Sequence, residues 1–390
     1  MKETSTAKIH LLGLSKAELT EHILEFGMPK FRAAQILEWI YKKRAAGFEQ
    51  MTNLSLGDRQ LLADKFEIFT SKLVRNVTST DGTEKILLQW PDGVDGTGGL
   101  TETVMIPCDD DQADEYGNTT VAHRRTACLS TQVGCPVQCA FCASGLEGLK
   151  GNLTAGQVIE QALRLTHNLP IERRLSNIVF MGMGEPLANF NVTVAAIRTL
   201  MAEWAFHISG RKITLSTVGL PPQMKKFADL EIPVNLAISL HAPNDQLRKQ
   251  IIPWAEKISI DQLIDAGRYY FEKTGRELTL EYIMLDSAGG GVNTLPEHAR
   301  QLATIAKQLR ANVNLIYYNE VPDLSFKRPS GQTVFSFQNV LRAAGVNAHI
   351  RKSRGRDVAA ACGQLARQDR KERLAQGFVQ IGTPEKNQDE

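Results

Sequence analysis

Along most of the chain, short runs of β-branched and apolar residues alternate with longer amphipathic stretches. The runs at 127–131, 177–181, 212–217, 234–240, 277–285 and 312–318, with a shorter one at 347–352, have the length and composition of strands. Stretches such as 155–166, 260–273 and 296–309 repeat apolar residues at three- and four-residue intervals, the period of one helix face. Strands separated by helices predict an α/β fold of parallel strands and crossover helices, barrel-like or open, with functional groups at the carboxyl ends of the strands. The first 70 residues read differently. Ser15 and Glu18 stand at capping-box spacing, and Phe31, Ile36, Leu37, Ile40 and Tyr41 follow at helical intervals, which predicts a small helical module. Two alternating runs, 72–77 and 85–89, flank Asp81-Gly82, a hairpin signal. The polar, turn-rich stretch 108–125 reads as an exposed loop. This pattern divides the chain into a helical module at 1–70, a hairpin-and-loop connection at 71–125, a barrel at 126–352 and a C-terminal segment at 353–390.

With 390 residues, 43% hydrophobic and 23% charged, the chain has material for a large core. No apolar stretch approaches the ~20 residues that span a bilayer, and Met1 to His10 lack the basic flank and apolar centre of a secretory signal. A cytoplasmic protein without a membrane partner is therefore expected. A net charge of +2 does not advertise nucleic-acid binding, but the charge is uneven. Between Arg351 and Arg373, eight basic residues face three acidic ones, an excess of five, while Asp109, Asp110, Asp111, Asp114 and Glu115 concentrate the opposite sign. Such a basic stretch is either a solvated tail or a phosphate-binding surface. Six cysteines are too few for a disulfide scaffold and point instead to metal binding or catalysis.

Three of the six form Cys135-x3-Cys139-x2-Cys142 after the first barrel strand. Three thiolates on one loop can each bind one iron of a cubane, leaving a fourth iron open to chelate S-adenosylmethionine. The competing reading is a zinc site completed by Cys128 or Cys108, although zinc sites more often use paired CxxC knuckles. Phe141 is placed either to pack on the cofactor adenine or to join the core. Further on, 177–181 runs into Gly182-Met183-Gly184-Glu185-Pro186, where glycines allow close backbone approach and Glu185 offers a carboxylate to an ammonium group. Ser216, Thr217, Ser239, His241 and Asn319 end other strands and converge on the same rim. Cys362, in Ala361-Cys362-Gly363-Gln364-Leu365, is either a small buried apolar residue or a nucleophile activated by the arginines before it.

Together these motifs make the chain resemble the RlmN/Cfr family of radical S-adenosylmethionine RNA methyltransferases, and its RlmN branch along nearly the whole length. The resemblance is carried by 29–36, Trp39-Ile40-Tyr41, 51–55, the 132–142 loop, Asn152-Leu153-Thr154, 181–187, 239–243 and the run from Arg354 to Leu365. It implies a partial (βα)6 radical-SAM barrel with a small N-terminal helical RNA-binding domain and a β-hairpin connection. It implies a [4Fe-4S] cluster on Cys135, Cys139 and Cys142, and two S-adenosylmethionine molecules per turnover. The cofactor contacts implied are Gly184, Glu185, Ser216, Ser239, Leu240, His241 and Asn319. Cys362 matches the methyl-carrying cysteine, Cys128 the second catalytic cysteine, and Glu102 the candidate proton acceptor. The partners implied are 23S rRNA, tRNA and a one-electron donor such as flavodoxin, with the enzyme acting as a monomer. Pro186 after Glu185 resembles the branch that targets carbon 2 of adenine more than the branch that targets carbon 8. Two alternatives differ in class: a zinc-containing RNA-binding protein without catalysis, and a radical enzyme for a small molecule.

Overall fold

The computed structural model describes residues 8–91, 99–113, 119–146, 148–321 and 324–365, with 108–113 and 119–123 described by their backbone. The chain opens with β1 (Ile9–His10), α1 (Lys16–Glu25), α2 (Phe31–Tyr41), α3 (Leu56–Lys65) and β2 (Phe66–Glu67), the two short strands pairing in parallel. The expected capping box starts α1: Ser15 Oγ accepts from the Glu18 N–H at 3.2 Å and Glu18 Oε2 from the Ser15 N–H at 2.7 Å. Next come β3 (Lys72–Thr78) and β4 (Glu84–Gln89), antiparallel about Asp81-Gly82 as the turn signal predicts.

The stretch read as an exposed loop differs. β5 (Leu100–Ala113) and β6 (Thr119–Cys128) form one long antiparallel ladder, from Val104 opposite Cys128 to Ala113 opposite Thr119. Polar composition suggested a loop, but two long strands satisfy their backbone groups across the ladder whatever side chains they carry. Residues 114–118, between them, lie outside the described residues, as does 366–390 with Arg367, Arg370, Lys371 and Arg373 of the basic stretch.

A small ribbon, β7 (Gln132–Gly134) with β8 (Leu149–Asn152), precedes the alternating region. That region runs α4 (Ala155–His167), β9 (Asn177–Phe180), α5 (Phe190–Met201), β10 (Ile213–Thr217), α6 (Pro221–Ala228), β11 (Asn235–Ser239), α7 (Asp245–Ile251), α8 (Ile260–Thr274), β12 (Thr279–Met284), α9 (Pro296–Leu309), β13 (Asn312–Tyr317), α10 (Gly331–Ala343) and β14 (Ala348–Arg351). β6 and β9 to β14 pair in parallel in sequence order, and β5, β4 and β3 continue the same sheet antiparallel, ten strands in all. The hairpin and the barrel are thus one sheet, the partial-barrel α/β architecture expected. The first parallel strand ends at Cys128, so the run read as 127–131 is the strand's last turn and the loop after it.

One apolar core joins the N-terminal helices to the barrel. At that junction the fully buried Glu160 of α4 accepts from Thr70 N (2.9 Å), Thr70 Oγ1 (2.9 Å), Ser71 N (3.0 Å) and Ser71 Oγ, and pairs with Arg164 at 3.2 Å. Glu160→Ala leaves these donors buried without an acceptor, and we expect it to cost about 3–5 kcal/mol, read as a lower urea midpoint at unchanged slope.

Candidate active site

The three-cysteine loop is pinned by the ribbon on either side of it. Cys135 N donates to Gly148 O at 3.0 Å and Cys142 N to Cys139 O at 3.1 Å. Gly134 has φ +73°, and a Cβ there would stand 2.1 Å from Gly148 O, so only glycine lets the two strands close. Val137, Phe141, Ile251, Ile252, Ala255 and Leu285 form an apolar wall against which the cysteines pack. Burial pushes Cys135 up to about 12 and Cys139 well above its usual value; Cys142 raises both further, and Cys135 adds to the rise at Cys139. The charge facing them is Arg248, itself buried, which donates to the carbonyls of Val218 (2.6 Å), Ile258 (3.2 Å) and Leu240 (3.3 Å). Burial lowers its pKa to about 10, leaving it a cation at neutral pH.

The strand ends converge beside this loop. Glu185 is buried, its carboxylate accepting from Thr217 Oγ1 (2.7 Å), Val218 N (2.8 Å) and Leu187 N (3.0 Å). Burial raises its pKa, against the pull of those donors. Gly184, at φ +102°, lies so close to Gln132 that a Cβ would meet that side chain at 2.6 Å. Ser216 and Ser239 share a hydrogen bond of 3.1 Å, and Leu240 is buried behind them. His241 Nδ1 accepts from Ile283 N at 3.1 Å, and burial followed by the Arg248 charge lowers its pKa to about 3, so the ring is neutral. Phe141 meets His241 edge-on, centroids 5.1 Å apart.

Cys362 is brought to the same place by its backbone. Ala143 N donates to Gly363 O at 2.8 Å and Asn319 Nδ2 to Cys362 O at 3.3 Å, so Asn319, Cys142 and Cys362 are near neighbours. Cys362 is exposed at the rim of the site, where loss of water to the surrounding chain raises its pKa while the Arg351 charge opposes the rise. Cys128, at the end of β6, is close enough to feel Cys362; burial, then that thiol, push it up to about 12. Arg351 of β14 stands near both and pairs with Glu281 at 3.5 Å. All five cysteines with described side chains are free thiols.

On the other side, the β3–β4 turn grips the segment that carries Cys362. Gly355 N donates to Asp81 Oδ2 at 3.0 Å, Thr80 N to Asp357 Oδ2 at 3.0 Å, and Ser79 Oγ to Asp357 Oδ1. Glu102 faces this segment from β5, paired with Lys85 Nζ at 2.8 Å, both side chains buried. Below the cysteines, a cavity of about 910 Å³ fills the barrel lumen, lined by Asn235, Asn312, Asn314, His349, Glu281 and Arg351 among others.

Residues 129–287 match the radical SAM superfamily, and residues 9–68 match the ribosomal RNA large subunit methyltransferase N-terminal domain. Proteins described as probable dual-specificity RNA methyltransferase RlmN are similar over almost the whole chain. The one from Rhodopirellula baltica is 43% identical over 366 residues, 94% of this chain and 93% of its own length; the one from Alkaliphilus oremlandii is 44% identical over 361 residues, 92% and 98%. The chain belongs to the RlmN family. The crystal structure of a radical SAM methyltransferase from Sphaerobacter thermophilus superposes on it with a TM-score of 0.84 at 40% identity, covering 92% of this chain and 99% of that one. As a member of the RlmN family the chain is a radical SAM enzyme, and its cofactors are a [4Fe-4S] cluster and S-adenosylmethionine.

Several residues of this RlmN-family site went unnoticed in the sequence. Lys85, Arg248, Glu281 and Asp357 were not singled out as site residues, and Asp81 was read only as half of a turn signal. Lys85 did carry a signal, a lone cation beside Ile86-Leu87-Leu88 in a strand with both faces covered. Around the site, Tyr317 lies under Arg328 at 4.3 Å, Trp254 packs by the cysteine loop, and the Glu320 carbonyl accepts from Gln364. The side chain of Cys108 lies outside the described residues.

Proposed function

We propose that this chain is a dual-specificity RNA methyltransferase that places a methyl-derived carbon on C2 of adenosine in 23S rRNA and of the adenosine next to the anticodon in tRNA. The observation that carries this reading is the packing of Cys128 against Ala360 and Leu365, the residues on either side of Cys362, on a segment that Gly363 fastens to the end of the Cys135–Cys139–Cys142 loop. One reactive thiol needs only one cysteine there; a carrier that must later be released needs two.

Cys135, Cys139 and Cys142 would hold the cluster. The donor set fits: three half-buried thiols on one loop can each bind one iron as a thiolate, with the Arg248 cation facing them. Three thiols on one loop with no second CxxC pair suit a cubane, where each thiolate takes a different iron, better than a zinc site. Gly184, Glu185, Ser216, Ser239, Leu240, His241 and Asn319 would line the S-adenosylmethionine site. Bound there, the cofactors supply the methyl group, single electrons and a radical able to abstract hydrogen.

The remaining work falls to the chain. Cys362 carries the methyl group as S-methylcysteine and becomes bridged through that carbon to C2 of the adenine. The bridged adduct holds one unpaired electron; Glu102 takes its ring proton as that electron returns to the oxidised cofactor site, which restores the aromatic ring and leaves a closed-shell thioether. The Cys128 thiolate then attacks the Cys362 sulfur; the carbon–sulfur electron pair leaves with the product carbon, which takes up a proton, and a Cys128–Cys362 disulfide awaits reduction. The lumen has room for a nucleoside turned out of its helix, with amide and carboxylate groups for its edges. Residues 1–70 and the basic segment from Arg351 would grip RNA phosphates, with the barrel spanning 126–352. The enzyme would act as a cytoplasmic monomer supplied with electrons by a flavodoxin-like donor. No described helix is long and apolar enough to cross a membrane.

Reconstituted enzyme incubated with reductant, S-adenosylmethionine and either rRNA or tRNA should yield 2-methyladenosine on nucleoside mass spectrometry. Production of 8-methyladenosine instead would overturn the choice of carbon, and methylation of one RNA class alone would overturn dual specificity.

A further inference from the structure

Lys85 occupies a place that no step above uses. It stands opposite Val104 in the β4–β5 ladder, and Val104 stands opposite Cys128 in the β5–β6 ladder, so Lys85, Val104 and Cys128 form one row across three strands on one sheet face. Glu102, two residues before Val104, shares that face. The Lys85 ammonium makes two contacts that join otherwise separate parts of the site: 2.8 Å to Glu102 Oε1 and 3.2 Å to the carbonyl of Ala359, three residues before Cys362. Ala359 itself sits at φ +50°, a conformation that a non-glycine residue keeps only when its surroundings hold it there. A cavity of about 110 Å³, lined by Arg75, Lys85, Glu102, Asp357 and Val358 among others, lies beside these groups.

Desolvation offsets most of the attraction in a buried ion pair, so such a pair is a weak source of stability and a strong source of geometry. We propose that Lys85 is a positioning residue that ties the carboxylate of Glu102 to the loop carrying Cys362, holding base and methyl carrier as one unit facing Cys128. The proposal rests on the reading of Glu102 as proton acceptor and of Cys362 as carrier. Methylation of Cys362 does not need that unit, because Asn319 and Ala143 hold the cysteine from the other side. Resolution of the adduct does need it, because the proton must leave before Cys128 can attack.

The test uses full-length, cluster-loaded Lys85→Met, Lys85→Arg and Glu102→Gln enzymes. Lys85→Met should keep S-methylation of Cys362 within about two-fold of the parent, lose product formation roughly ten- to a hundred-fold, and accumulate a covalent protein–RNA species. Lys85→Arg, which preserves the charge and reaches the same two oxygens, should recover most of the rate and abolish the accumulation. Parental turnover by Lys85→Met overturns the proposal. So does a joint loss of cluster, Cys362 methylation and melting temperature in both lysine variants, which marks a purely structural residue. Glu102→Gln should itself accumulate the covalent species; normal turnover by that variant removes the base on which the proposal stands, whatever the lysine variants do.

Discussion

A Cys128→Ala variant purified from cells that contain its RNA substrates carries RNA covalently attached through Cys362. Denaturing gels should show a heavier band that nuclease collapses, and peptide mapping should place the modified nucleotide on Cys362. Product formation should fall by at least about a hundred-fold, because the adduct forms but nothing attacks its sulfur. Cys362→Ala should abolish both methylation and attachment. The opposed expectation is that Cys128 is only a packing residue among Val104, Met183, Ala360 and Leu365, in which case alanine costs roughly 1–2 kcal/mol of stability and leaves turnover intact. A folded, cluster-loaded Cys128→Ala enzyme that turns over normally and carries no RNA removes Cys128 from the reaction.

Replacing Cys135, Cys139 and Cys142 together by alanine should leave an enzyme with no bound iron after anaerobic reconstitution, no absorption from a cluster and no cleavage of S-adenosylmethionine. Nothing else among the described residues offers a comparable set of thiols, since the only others are two, Cys128 at the end of β6 and Cys362 on the C-terminal segment. Iron content and cofactor cleavage equal to the parent's would place the cluster elsewhere. The triple variant should still fold, because the ribbon around the loop is closed by backbone hydrogen bonds and by Gly134, not by the thiols.

What could be read in advance was local. Ser15 and Glu18 announce the start of α1, Asp81-Gly82 the β3–β4 turn, and the three cysteines their own loop, because each signal lies within a few residues of what it specifies. Alternation of strand and helix patterns was enough for the parallel part of the sheet. The β5–β6 ladder was missed because pairing is decided by partner strands, and polar residues on a ribbon look like polar residues in a loop. The same limit hid the row of Lys85, Val104 and Cys128, which exists only once three strands are in register. Phe141 illustrates the limit on side chains: its place before Cys142 left it either against the cofactor or in the core, and its edge-on contact with His241 depends on a strand end a hundred residues later.

The grip of the β3–β4 turn on the segment before Cys362 joins Asp81 to Gly355, residues 274 positions apart. During synthesis the hairpin, the cysteine loop and most of the barrel leave the ribosome before that segment does, and domains of this size fold as they emerge. Closing so long a loop costs little more than closing a shorter one, so the late segment can be captured by a surface that is already formed. Cys362, the proposed methyl carrier, is therefore the last of the named site residues to arrive, and a chain still short of it already holds the cysteine loop and the strand ends around it.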